Sequence, residues 1–78
     1  MPEVLRIGKC RFFFFSREGN EPVHIHVESD DNYAKFWLEP VALAKSVGYS
    51  AREISEIKKL VLQNVTLFKE KWYEYFGR

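Results

Sequence analysis

The spacing of apolar residues along the chain changes once, near Ser50. Before that point Val23–Glu28 alternates apolar and polar residues with a period of two, the pattern of a half-buried strand. After it Ile54, Ile57, Val61, Val65, Phe68, Trp72 and Phe76 recur every three or four residues, an amphipathic helical stripe. Val4–Ile7 and Arg11–Ser16 read as two further strands. Gly8-Lys9 between them suits a tight hairpin, because Gly takes the positive φ of a type II′ turn. Arg17–Pro22 is a loop, marked by Gly, Asn and Pro. Ser29-Asp30-Asp31-Asn32 is a polar turn and Tyr33–Glu39 the returning strand, ended by Pro40, which cannot donate to a ladder. Val41–Val47 stays open between strand and irregular chain, since Ala is poor in strands. Ser50-Ala51-Arg52-Glu53 fits a helix capping box, and Gly77 stands where a C-cap belongs. Asn64-Val65-Thr66 is weak helix sequence, so the stripe predicts one long helix or two.

These elements predict an α+β fold in a single domain spanning 1–78. A small antiparallel sheet of four to five strands covers residues about 3–47. A C-terminal helix or helix pair over about 51–76 packs on one face.

A turn flanked by Glu28 and Tyr33 fixes register: His26 faces Lys35 and His24 faces Trp37. His24, His26, Glu28, Tyr33, Lys35, Trp37 and Glu39 then share one sheet face, and Val23, Ile25, Val27, Ala34, Phe36 and Leu38 the other. The apolar face is the dock for the helices. The His-bearing face is expected to lie uncovered, with one pair of the Phe12–Phe15 run on it, and to pack against a second copy, another protein or a nucleic acid.

Composition narrows the classes. The chain has 78 residues and 46% hydrophobic content, too apolar for disorder. Its 17% aromatic content is high for so small a core, which implies that some aromatics reach the surface. A net charge of +1 excludes strong sequence-independent attraction to nucleic acid or membrane. Cys10 is the only cysteine, which excludes an internal disulfide and suits a reducing, cytoplasmic setting. The start of the chain is not expected to be a signal peptide, and no apolar run approaches the roughly 20 residues of a membrane span. No phosphate-binding glycine loop, nucleophile elbow or zinc-finger spacing occurs.

The sharpest chemistry is His24-Ile25-His26. Residues two apart on a strand project side by side, so both imidazoles can reach one ion. Imidazole suits a divalent transition metal such as zinc or nickel, with Glu28 on the same face as the nearest third ligand. Without metal, one imidazole can serve as base and the other as acid in RNA cleavage, with Lys35 nearby. The plainer alternative is a pair of partly exposed histidines beside Trp37. Tyr33, Lys35 and Trp37 alternate like a base-stacking platform, or else form a protein contact. Cys10 reads as a spare thiol, and the mixed charges of the helices as a solvated face.

Met1-Pro2-Glu3-Val4, Glu21-Pro22-Val23-His24-Ile25-His26-Val27 and Phe68-Lys69-Glu70-Lys71-Trp72 together resemble a small prokaryotic family catalogued as domain of unknown function 4160. Its members carry a Pro-Pro-His-x-His motif and a C-terminal helix with a Trp. Here Val23 replaces the second Pro, and Asp30 stands where Gly is expected in the turn. The carry-over falls on Pro22, His24 and His26, with Trp72 already explained as core. The resemblance implies a cytoplasmic prokaryotic protein, one component of a toxin–antitoxin-like pair, and supplies no established activity. The expectation is therefore an interaction module that contacts a further copy of itself or a small partner protein from a neighbouring gene. The alternatives are a small nuclease or other hydrolase using His24 and His26, directly or through a metal, and a nucleic-acid-binding sheet face.

Overall fold

The computed structural model describes residues 3–17 and 19–77. Five strands are followed by two helices: β1 (Glu3–Ile7), β2 (Cys10–Phe13), β3 (His24–Ser29), β4 (Asn32–Leu38), β5 (Val41–Val47), α1 (Ala51–Gln63) and α2 (Val65–Phe76). The strands form one antiparallel meander in the order β1-β2-β3-β4-β5. This is the expected α+β architecture. The segment Val41–Val47, open in the sequence, is a strand: pairing with β4 outweighs the weak propensity of its alanines.

The hairpin at Gly8 forms with Gly8 at φ 57, in the left-handed region where a Cβ is penalised. At the β3–β4 turn Asp30 adopts φ 53, the conformation for which Gly was expected there. The register across that turn is the expected one, with His24 opposite Trp37, His26 opposite Lys35 and Glu28 opposite Tyr33. Strand β2 is shorter than predicted and stops at Phe13, so Phe14 to Ser16 leave the ladder before the β2–β3 loop. The loop expected at Arg17–Pro22 includes Glu18, which lies outside the described residues, as do Met1, Pro2 and Arg78.

Both edge strands carry a bulge. In β1 Val4 is the extra residue, between the pairs Glu3–Phe13 and Leu5–Phe12. In β5 it is Ala44, between Lys45, opposite Lys35, and Leu43, opposite Phe36. Each bulge shifts the inward–outward alternation of its strand by one residue.

The stripe resolves into two helices. Ser50 accepts from the Glu53 backbone N–H at 3.1 Å while the Glu53 carboxylate accepts from the Ser50 N–H at 2.8 Å, so the predicted capping box is complete. The break falls at Asn64, whose side-chain amide donates to the Leu60 carbonyl at 2.9 Å. Its backbone φ of −117° leaves the helical range, and Val65 and Thr66 have little propensity to resist the break. Gly77 closes α2 at φ 74 and donates its N–H to the Tyr73 carbonyl.

Ile57, Val61, Phe68 and Trp72 are buried against Phe12, Phe14, Ile25, Val27, Ala34, Phe36 and Leu38. Phe12 stacks on Phe68 with centroids 5.2 Å apart, and Phe14 meets Trp72 edge-on at 5.4 Å. The Phe12/Phe14 pair thus joins the helix-covered core, which leaves Phe13 and Phe15 on the opposite face.

Candidate functional site

The expectation that His24 and His26 lie on an uncovered face is overturned. His24 is fully buried and His26 is 2% exposed. The closure comes from aromatic rings close by, one of them supplied by α2. Phe13 of β2 is the direct cross-strand neighbour of His26. Their rings stack 5.3 Å apart, and Tyr33 of β4 stacks on His26 at 5.7 Å. Phe15 meets the same imidazole edge-on at 4.8 Å. His24 sits edge-on to His26 at 4.9 Å, to Trp37 at 5.7 Å, and at 4.7 Å from the indole of Trp72. The pair therefore occupies an aromatic enclosure built from three strands and α2.

A buried imidazole is costly unless its polar atoms are bonded. His24 Nδ1 lies 2.8 Å from the Pro22 carbonyl oxygen, which only accepts, so Nδ1 is the protonated nitrogen. In the neutral ring Nε2, itself buried, is then the basic nitrogen. His26 Nδ1 lies 2.6 Å from the Tyr33 hydroxyl. The side chain of Tyr33 thus faces inward, as a partner of His26.

Charged groups rim the enclosure. Arg11 lies over the Phe13 ring at 4.4 Å and donates through Nε to Glu28 at 3.0 Å, with a second, shorter contact from its terminal nitrogen. Lys35 lies over the Trp37 ring at 4.5 Å and donates to Glu21 at 2.9 Å. A nucleic-acid base that stacks on Trp37 must first displace Lys35. The platform expected from Tyr33, Lys35 and Trp37 is therefore capped by its own lysine and turned inward at its tyrosine.

The expected metal ligands are not gathered. Glu28 shares the face with His26 but is engaged by Arg11. The carboxylates of Asp30 and Glu39, not among the expected ligands, pair with Lys9 and Lys69. Among the described residues no three His, Cys, Asp or Glu side chains group as a metal site requires. Cys10 is partly buried, and that burial pushes its thiol upward, which makes it a poor nucleophile and fits a spare thiol.

Sequence reasoning missed the contacts of Phe13, Phe15 and Trp72 with the histidines. The β3–β4 register was readable because a short turn fixes it. The β2–β3 register was not, because the residues between Phe13 and His24 leave the pairing undetermined, and with it the neighbour of His26.

Four of the residues that carried the family resemblance, Pro22, His24, His26 and Trp72, meet in space. Pro22 holds the His24 ring, His24 touches His26, and Trp72 packs on His24. The family model described as a domain of unknown function (DUF4160) matches residues 10–73. The chain belongs to the DUF4160 family. That match begins after Met1-Pro2-Glu3-Val4 and spans the His pair and Trp72. No curated protein and no solved structure matches the chain. In this family member no helix among the described residues is long and apolar enough to cross a membrane.

Proposed function

We propose that this DUF4160 protein is an interaction module, one component of a toxin–antitoxin-like pair that works by protein–protein contact. The observation that carries this reading is where the open apolar surface lies. The residues with reactive side chains are enclosed, whereas five consecutive residues of edge strand β5, Leu43–Val47, are exposed. Leu43 is 44% exposed on the helix-bearing side of the sheet and Val47 51% on the other side, and Leu62 of α1 is 52% exposed. Phe15, Tyr73 and Tyr75, the remaining exposed large hydrophobics among the described residues, lie outside β5. Large apolar side chains left open at a sheet edge are the usual mark of a surface that a partner covers. The test is co-expression with the product of the neighbouring gene, followed by light scattering of the purified material. A stable species heavier than either chain is expected. Two separate peaks at every concentration would remove the reading.

A second reading, a small nuclease or other hydrolase, is favoured by one observation. The Pro22 carbonyl sets the His24 tautomer so that Nε2 can act as base or as a ligand, with His26 alongside and Arg11 and Lys35 at the rim to meet a phosphate. It requires the enclosure to open. Induced expression should then slow growth, and His24→Gln or His26→Gln should relieve the arrest in a chain that still folds. Zinc or nickel titration of the wild type and of these variants by calorimetry separates the metal-dependent form from the metal-free one. Arrest that survives both substitutions excludes it.

A further inference from the structure

We infer that the edge of β5, with the adjoining flank of α1, takes an extended acidic and apolar segment of a different protein as an added strand. This rests on the interaction reading and names its surface and partner class. No strand pairs with the outer edge of β5 among the described residues, so its backbone donors and acceptors there are open to an added strand. Helix α1 follows β5 through a short connection, and β5 is the strand it approaches most closely. At 100° per residue Glu53, Glu56 and Leu60 lie on one flank of α1, lining a cavity of about 220 Å³ with the hairpin tips. Lys58 and Leu62 fall on the opposite flank. Leu43, opposite core residue Phe36, points to the same helix-bearing side of the sheet.

Charge decides the chemistry of the occupant. Lys45, Lys58 and Lys59 are exposed, and none has an ion-pair partner among the described residues. Most acids, by contrast, have cationic partners within 4.0 Å, and those without one among the described residues, Asp31, Glu53 and Glu70, lie off β5 and off the Lys58 flank of α1. Lys45 on β5, on the side of the sheet opposite Leu43, and Lys58 on the α1 flank beside Leu62 thus put unpaired positive charge next to the exposed apolar side chains. An occupant with acidic residues set among apolar ones satisfies both. The bulge argues against a second copy. Across Ala44 the alternation of β5 slips, so in an antiparallel self-pair centred there a helix-side position such as Leu43 faces an outer-side one, Lys45. Directly opposed residues of a regular pair share a side. A different strand can match the bulge with its own register.

The experiment is affinity measurement between the full chain and the co-expressed neighbouring-gene product, for wild type, Leu43→Asp, the pair Lys45→Glu/Lys58→Glu, and Arg6→Glu on the other sheet edge. Circular dichroism verifies that each variant is folded. Leu43→Asp and the lysine pair should each weaken binding about tenfold or more, with the wild-type affinity falling as salt rises, while Arg6→Glu changes it little. Binding that the β5 variants leave intact overturns the assignment of this surface but keeps the interaction reading. A wild-type chain that is itself a dimer, and that Leu43→Asp returns to single-chain mass, overturns it in favour of a second copy. No complex of either kind overturns the inference and the interaction reading together.

Discussion

Two regions of this small domain invert the usual partition of side chains. Around His24 and His26 polar, titratable groups are buried among rings. Along β5 and one flank of α1 apolar side chains stand in solvent. Buried polar residues and grouped exposed apolar ones are the two deviations from ordinary burial that carry information. The difference between the regions teaches that the most reactive residue types in a sequence need not lie on its working surface. The histidines resemble core: each has a hydrogen bond to Nδ1 and several ring neighbours. The β5 ledge pairs with β4 yet leaves Leu43 and Val47 about half exposed. Its residues are ordinary in chemistry and unusual only in their exposure.

The largest test of this contrast falls on Trp72, which joins the enclosure to the core through His24, Phe14 and Phe76. Trp72→Ala should cost about 3–5 kcal/mol. Total stability in a domain of this size is of the same order, so the variant should melt at least about 12 °C lower or fail to fold. Thermal denaturation followed by circular dichroism reads it. A shift of only a few degrees would mean that the enclosure is not part of the core. His26→Ala comes next, at about 2–4 kcal/mol, because it empties a space between Phe13 and Tyr33 and strips the tyrosine hydroxyl of the imidazole. If it costs less than about 0.5 kcal/mol, the size expected of a surface change, the histidine is not structural and the hydrolase reading gains.

How far the sequence could lead follows from the same residues. The hairpins at Gly8 and Asp30, the capping box and the pairing of His24 with Trp37 were legible because each is a local signal, a turn or a cap, while the helical period left one long helix or two with a break near Asn64 undecided. Burial of the histidines was not, since it depends on where Phe13, Phe15 and Trp72 arrive from distant parts of the chain. Alternation assigns His24 and His26 to the face without helices, and the inference that such a face is open holds only while no ring folds over it. The exposure of β5 was hidden for a related reason. Its apolar pattern alone is that of a covered strand, and only its place at the edge of the meander leaves it open.

Smaller effects sharpen the contrast on its open side. Ser50→Ala should cost about 1 kcal/mol, read by the same melting curves, because it removes the capping oxygen that the Glu53 N–H donates to. A much larger loss would mean that α1 depends on its cap more than on Ile57 and Val61. Leu43→Ser should change stability by no more than about 0.5 kcal/mol, since the side chain already meets water in the isolated chain. Set beside His26→Ala, it makes the inversion measurable: the apolar residue is dispensable to the fold and the polar one is not. A cost above about 1 kcal/mol would place Leu43 in the core and remove the ledge as a free surface.

The smallest effect concerns the turn that leads into β5. Glu39 accepts from Tyr73 at 3.1 Å and pairs with Lys69 at 3.0 Å, which ties this turn to α2. The hydrogen bond from Lys69, followed by that from Tyr73, holds the Glu39 carboxyl below its ordinary value. A carboxylate lowered in the folded state contributes stability above its unfolded value of about 4.3 and loses it as pH falls through the folded one. The contribution should therefore be present at neutral pH and fade below about pH 4. Because the group is exposed the effect is small and screened by salt. Melting curves of the wild type and Glu39→Gln should differ slightly at neutral pH in dilute buffer and converge under acid. Were the two curves to stay apart in acid, the tie would not be ionic. The anchoring of the open edge to α2 would then rest on Tyr73 and on packing rather than on charge.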